Sequence, residues 1–393
     1  MNWSLWILGI VLSEITGILV GALAERPLKQ YIIQPSMNVL ARARGHRQRS
    51  FAATERAWTL QLYDERNGNV FPEPIFVYDF VPAGYARSHL LFHRWQPDHG
   101  EELHALSVAD PEVARALGGE TAIASKVAQV RDLLKATARA DGQTADEWNG
   151  QQFALREIHV RREEAQEHPG ASLFFSPAEH ASYLAISELW KEVYATAGPS
   201  LLGTPDQMAR VRPLLSNTFG MNATVVLPGE QLVITRRSVR NSGPYGGYWH
   251  TSVNEGMSPR DLSGGRPDPY RALQRGIQEE LGIDVPTSSI VFHTIILAPR
   301  SYQWGLLGHV SVGESVDLKR LTQLRARGEV KDRMETDAIT TVDFEKATAL
   351  QDRLSEGLWV PWGALSVVQS YRHVYDKDAA DLFAIICRSS NRR

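Results

Sequence analysis

The chain is poor in cysteine. Cys387 is the only one in 393 residues, so no disulfide can form within the chain and no zinc site can rest on paired thiolates. The 12 histidines are scattered along the chain, and no metal site is assigned to them. A net charge of −3 gives no basic field of the kind that binds duplex nucleic acid, so no such partner is expected. No internal repeat is evident. With 43% hydrophobic and 22% charged residues, the balance is that of a globular chain and excludes disorder as the dominant state. The length suits two domains, or one with a large elaboration.

One long apolar run is present. Residues 3–24, WSLWILGIVLSEITGILVGALA, approach the ~20 residues that cross a bilayer as a helix. Basic residues follow this run and none precede it: Arg26 and Lys29, then Arg42, Arg44, Arg47 and Arg49 with His46. The positive-inside rule then places the C-terminal part in the cytoplasm, with the cluster in 25–57 facing anionic lipid. Two other readings stay open. Ala22-Leu23-Ala24 resembles a signal-peptide cleavage site, and Glu14, expensive at mid-membrane, would suit a buried amphipathic helix instead. Gly9, Ser13 and Gly17 form a small-residue stripe suited to homo-oligomerisation through the helix.

Beyond the connector, residues 58–214 read as an α+β region. Strands are expected at WTLQLY, IFVYDF, SHLLF and FALREIHV, with helical spacing over 110–140. A second helix is expected to open at Ser176-Pro177 and to stop at Gly198-Pro199. This region carries no recognisable catalytic constellation. From 215 to 393 the pattern changes. Strands are expected over 221–227, 231–236, 247–253, 289–297, 305–312 and 338–344, with helices near 269–281 and 363–376. That order predicts an α/β domain with a mixed sheet packed between helices.

The helix at 269–281 holds the chemistry. Asp268 suits its N-cap, Pro269 its first turn and Gly282 its C-terminal stop. Tyr270, Leu273, Ile277 and Leu281 fall on one stripe and should face the core. Arg275, Glu279 and Glu280 lie off it. Adjacent carboxylates suit a hard cation such as Mg²⁺, and Arg275 can pair with Glu279 one turn on.

The string from Arg275 to Ile283 resembles the end of the Nudix box, G-x5-E-x7-R-E-U-x-E-E-x-G-U. Arg275, Ile277, Glu279, Glu280, Gly282 and Ile283 match. Asp261 stands where the box has its first Gly, Pro267 where it has its first Glu, and Gly276 where it has the Glu after the Arg. That last Glu is a metal ligand in the family. Glu255, in Asn254-Glu255-Gly256, is a candidate to take its place, and Glu335, in KDRMETD, is a candidate late-loop base. The strings at 215–238, 250–257, 275–282 and 331–337 are similar to a bacterial Nudix branch with R-G-x-x-E-E-L-G. Its members include membrane-linked effectors proposed to act in cyclic-oligonucleotide anti-phage signalling.

The resemblance implies a Nudix α/β/α sandwich and a nucleotide or nucleoside-diphosphate ligand. It implies Mg²⁺ on Glu279, Glu280 and Glu255, with Glu279, Glu280 and Glu335 as the catalytic carboxylates. Arg236, Arg237, Arg240 and Arg275 are candidates for phosphate, and Tyr248 and Trp249 for stacking on a base. Three functions then compete: a nucleotide receptor acting as sensor or effector, an active membrane-tethered hydrolase, and a protein-interaction surface.

Overall fold

The computed structural model describes residues 55–64, 69–79, 89–95, 102–140, 150–163, 168–202, 210–239, 245–332, 334–375, 379 and 382. The stretch read as a membrane span and most of its connector lie outside them, as does Arg240. Among the described residues no helix is long and apolar enough to cross a membrane.

The described chain opens on an antiparallel hairpin, β1 (Glu55–Asp64) and β2 (Asn69–Asp79). After β3 (His89–Arg94) come three helices, α1 (Glu102–Ala109), α2 (Pro111–Ala116) and α3 (Glu120–Ala140). The helical stretch expected over 110–140 is interrupted by Gly118 and Gly119, both at positive φ, a conformation that glycine adopts freely. Next follow β4 (Gln151–Glu163), β5 (His168–Glu179) and α4 (His180–Leu202). Strands β3, β5 and β4 form a three-stranded sheet in that order.

Two expectations fail in this region. Pro177 lies within β5, paired with Phe153, so the helix opens three residues later than the Ser176-Pro177 signal suggested. Gly198-Pro199 does not stop that helix, which continues to Leu202. The Tyr194 ring lies so close to Gly198 that a Cβ there would meet it at 2.2 Å, so the glycine makes room for an aromatic ring instead of ending the helix.

The C-terminal part adds β6 (Phe219–Leu227), β7 (Gln231–Arg237), β8 (Trp249–His250), β9 (Val253–Gly256) and a small hairpin, β10 (Leu262–Ser263) with β11 (Arg266–Pro267). Then follow α5 (Pro269–Leu281), β12 (Ile290–Ala298), β13 (Gln303–Ser311), α6 (Leu318–Ala326), β14 (Thr336–Asp343), α7 (Ala347–Ser355) and α8 (Pro361–Tyr375). The main sheet is mixed: β1-β2-β12-β13-β6-β7-β14, with β13 and β6 parallel and the other neighbours on this path antiparallel. Strand β2 pairs with β12, and residues 53–393 form one compact unit. The sheet of the region read from sequence as 215–393 is thus extended at one edge by β2 and β1.

Both faces of this sheet are covered. Phe219, Met221, Ala223 and Val225 of β6 share one core with Ala272, Leu273, Ile277 and Leu281 of α5. Val226, Leu232, Ile234 and Leu307 share a second core with Leu350 and Leu354 of α7 and with Leu365 and Val368 of α8. Side chains alternate faces along a strand, and β12 keeps one set of apolar residues on the α5 face through a bulge between Phe292 and Thr294. Ile290 and Phe292 before it, and Ile295 and Leu297 after it, all reach the α5 core. The extra residue corrects a parity that would otherwise flip.

Candidate functional site

Strand β6 is shared along one edge. Val225–Leu227 pair with β7, whereas Gly220–Ala223 pair with β9. The strand expected over 247–253 is thus split in two, β8 on β7 and β9 on β6. Hydroxyls fill the gap where β6 and β7 part: Ser252 Oγ accepts from the Val225 amide at 2.7 Å, and Thr251 Oγ1 donates to the Ala223 carbonyl at 2.9 Å. This wedge carries Glu255 out to the end of β9, against α5.

Helix α5 forms as its sequence dictates. The Asp268 carboxylate accepts from the amides of Tyr270 and Arg271, and Gly282 closes the other end at φ 74°. Leu273, Ile277 and Leu281 are buried, and Tyr270 packs against their core. Gly276 is buried too, facing Glu255. A Cβ at position 276 would lie 2.8 Å from Glu255 Cβ and Cγ and 2.9 Å from its Oε2. The side chain of Glu255 therefore fills the space that a residue at 276 would need, bringing a carboxylate beside α5 where the helix itself has none.

Around this point the acidic groups converge. Glu280 is 9% exposed, and its Oε1 accepts from the Asn254 amide at 3.1 Å. Burial, then the neighbouring charges of Glu335 and Glu255, push its carboxyl well above the ordinary range. Burial raises Glu255 to about 7 against the opposing pull of Arg275. Glu335 is raised by the protein packed around its carboxyl and by Asp332, with Arg237 opposing. The 331–335 loop is fixed by backbone bonds, from the Asp332 amide to the Glu279 carbonyl and from the Ser238 amide to the Glu335 carbonyl.

Arg275 organises the other side. It forms a bidentate pair with Asp261 at 2.9 Å for both bonds, bonds Glu279 at 3.0 Å and the Gly256 carbonyl at 3.0 Å, and lies 3.3 Å from Glu255. A guanidinium so committed clamps the acidic loop, and a phosphate would have to displace one of these partners. Its pairing with Glu279 follows the i, i+4 expectation. Its main partner, Asp261, does not; in the sequence that residue registered only as a departure from the box. Glu279 is also bonded by Lys331. These two cations hold its carboxyl below the ordinary range although burial opposes them. Glu279 is thereby drawn to the cations, while Glu280 is repelled by both Glu335 and Glu255.

The candidate ligand residues divide. Arg237 lies within electrostatic reach of Glu335 and His250. Arg236 turns instead toward Trp249, 5.8 Å from its ring centre, and Arg353 covers that ring at 3.8 Å. Trp249 is thus already occupied by a cation–π contact that a stacking base would have to displace. Tyr248 is 3% exposed and belongs to the core.

Whether these residues suit a divalent cation can be judged from the donors. Oxygen ligands are what Mg²⁺ takes, and like-charge repulsion around a buried Glu280 is the strain a cation would relieve. Among the described residues, no three His, Cys, Asp or Glu side chains are grouped so as to hold a metal ion; a cation there would need the carboxylates to turn toward one another. Donor type and charge fit the ion.

No family model matches the chain, and no curated protein does. Among solved structures, 38 chains show similarity. The Deinococcus radiodurans protein DR0079 is 16% identical over 40% of this chain and 84% of its own, at a TM-score of 0.28. A MutT/nudix family protein from Enterococcus faecalis is 9% identical over 44% of this chain and 79% of its own, at a TM-score of 0.23. TM-scores this low do not by themselves establish a shared fold.

Proposed function

We propose that residues 215–393 form a Nudix-type domain that handles a nucleoside-diphosphate derivative at the carboxylates Glu255, Glu280 and Glu335, and that residues 3–24 tie it to a membrane as part of an anti-phage effector. The observation that carries the site reading is the placement of Glu255 over Gly276. The box carboxylate missing from the helix is supplied from β9, so the variant box keeps its acidic complement. A hard cation such as Mg²⁺ bound there supplies neutralisation of a diphosphate and acidification of water. In this reading Glu280 and Glu335 would turn toward the cation and hold it. Glu255, with a pKa of about 7, is matched to accepting a proton near neutral pH. Arg275 orients Glu255 and Glu279, and Arg237 faces the acidic cluster from β7.

This geometry favours turnover, that is, a hydrolase. The receptor reading draws on a different observation: Arg275 and Lys331 already neutralise Glu279, which suits a domain that binds without cleaving. The experiment is calorimetry on the full chain with a panel of nucleotides and nucleotide sugars in Mg²⁺, with chromatography of the same mixtures. Mg²⁺-dependent cleavage lost in both Glu280→Gln and Glu255→Gln supports the hydrolase. Tight binding without cleavage supports the receptor. Absence of binding across the panel refutes both.

A further inference from the structure

The loop between β9 and α5 fixes a carboxylate of its own. The Asp261 side chain is 3% exposed. Its Oδ2 accepts from the Ser258 amide at 2.8 Å and from Ser258 Oγ at 3.0 Å. Its backbone carbonyl accepts at 2.8 Å from the amide of Asp268, the N-cap of α5. Asp261 is thus set against the start of the helix by bonds that do not involve Arg275. A carboxylate held in this way, and bonded by two nitrogens of one guanidinium, dictates the plane of that group as well as its position.

The nitrogens of Arg275 divide accordingly. Nε and Nη2 go to Asp261, both at 2.9 Å, and Nη2 also reaches the Gly256 carbonyl at 3.0 Å. Nη1 is left pointing between Glu279 at 3.0 Å and Glu255 at 3.3 Å. Among the described residues, Arg275 is the one cation paired with Glu255, whereas Glu279 and Glu280 repel its charged form. Without the two-pronged bond the guanidinium is free to turn wholly onto Glu279, one turn along the helix. Glu255 would then face like charges with no cation to hold it, and rotation toward water would relieve them. That rotation empties the space over Gly276, where Glu255 Oε2 now stands 2.9 Å from the position of a Cβ.

We propose that Asp261 is a positioning residue for Glu255, acting through Arg275, and that the departures from the Nudix box at positions 261 and 276 are one coupled change. A carboxylate moved from the helix to β9 needs a cation aimed at its new place, and Asp261 does the aiming. The inference rests on Glu255 as the replacement for a box carboxylate, and adds to it the residue that keeps the replacement in register.

The test is urea unfolding of the full chain in detergent and EDTA, with Gly276→Ala as the probe of what stands over the helix. With Glu255 held in place the added methyl meets it, so the substitution should lower the unfolding midpoint or leave it unmoved. Asp261→Asn keeps the shape of the side chain and removes its charge. In that background Gly276→Ala should raise the midpoint, as alanine does where a helix has room. A merely structural Asp261 would lower the midpoint equally with and without Gly276→Ala, so the reversal reports positioning. Arg275→Lys keeps the charge but loses the two-pronged bond; it should produce the same reversal, and it decides should Asp261→Asn not fold. The inference is overturned if Gly276→Ala acts alike in the wild-type, Asp261→Asn and Arg275→Lys backgrounds. If Gly276→Ala already raises the midpoint of the wild type, the placement of Glu255 falls and the inference with it. Neither cation nor nucleotide enters this cycle, so its outcome is separate from that of the cleavage experiment.

Discussion

Gly276→Ala adds one methyl group to the middle of α5. On an exposed helix the change would stabilise by about 1 kcal/mol, because alanine loses less backbone freedom than glycine. Here the new Cβ would stand 2.8 Å from both Cβ and Cγ of Glu255, well inside the ~3.5–4.0 Å of a comfortable carbon contact. Overfilling of that kind costs about 1–3 kcal/mol, so the single variant should be neutral or destabilised by up to about 2 kcal/mol. In a Glu255→Gly background the obstructing atoms are gone, and the same substitution should stabilise by about 1 kcal/mol. The four proteins form a double-mutant cycle, read by urea unfolding at constant m-value, with an expected coupling of about 1–3 kcal/mol. A second readout follows from the chemistry: Gly276→Glu combined with Glu255→Gly returns the carboxylate to the helix and should restore the Mg²⁺-dependent cleavage that Glu255→Gly loses. If Gly276→Ala stabilises equally in both backgrounds, Glu255 does not fill the space over α5 and the exchange of carboxylates is wrong.

Lys331→Met removes a positive charge beside the acidic cluster, and should tighten Mn²⁺ binding there about two- to fivefold by calorimetry, the range of an exposed pair; unchanged affinity would show that the cluster does not hold the cation. Glu255, raised from 4.5 to about 7, stays protonated in the fold where the unfolded chain has already ionised. Stability should therefore fall as pH rises between those values, by on the order of 3 kcal/mol. Glu255→Gln should flatten this limb in EDTA, and an unaltered slope would refute the assignment. His250 and His309 are held near 3 by burial, helped by Arg237 and His373 respectively. The unfolded chain protonates first, so stability should be lost as pH falls from about 6.5 toward 3, and His309→Leu should reduce that loss in acid unfolding curves.

What could be read from sequence was local. Asp268, Pro269 and Gly282 bracket α5 because caps act within one turn, and the stripe from Tyr270 to Leu281 declares its buried face by spacing alone. The pairing of Arg275 with Glu279 belongs to the same class. What escaped was settled at a distance. Nothing near Asp261 announces that it will meet Arg275, 14 residues on and across a hairpin. The break between β8 and β9 depends on Thr251 and Ser252 satisfying the backbones of β6 and β7, groups that only the folded sheet brings within reach. The joining of β2 to β12 links residues more than 200 positions apart. Glu255 stands between the two cases, since the deficit at Gly276 was visible in the box and its remedy lay in the space over the helix.

The pairing of β2 with β12 has a mechanical consequence. Among the described residues, strand β1 is the edge of the main sheet and pairs with β2 alone, from Glu55 opposite Tyr78 to Asp64 opposite Asn69. A load pulling the N-terminal end outward from the sheet meets the Glu55 end first and opens the hairpin like a zip, one rung after another. Strand β2, gripped on its other side by β12 over Phe76–Asp79, bears force only after β1 has peeled away. The hairpin is in that sense a fuse, yielding progressively between whatever pulls on the N-terminus and the strands that carry Glu255 and α5.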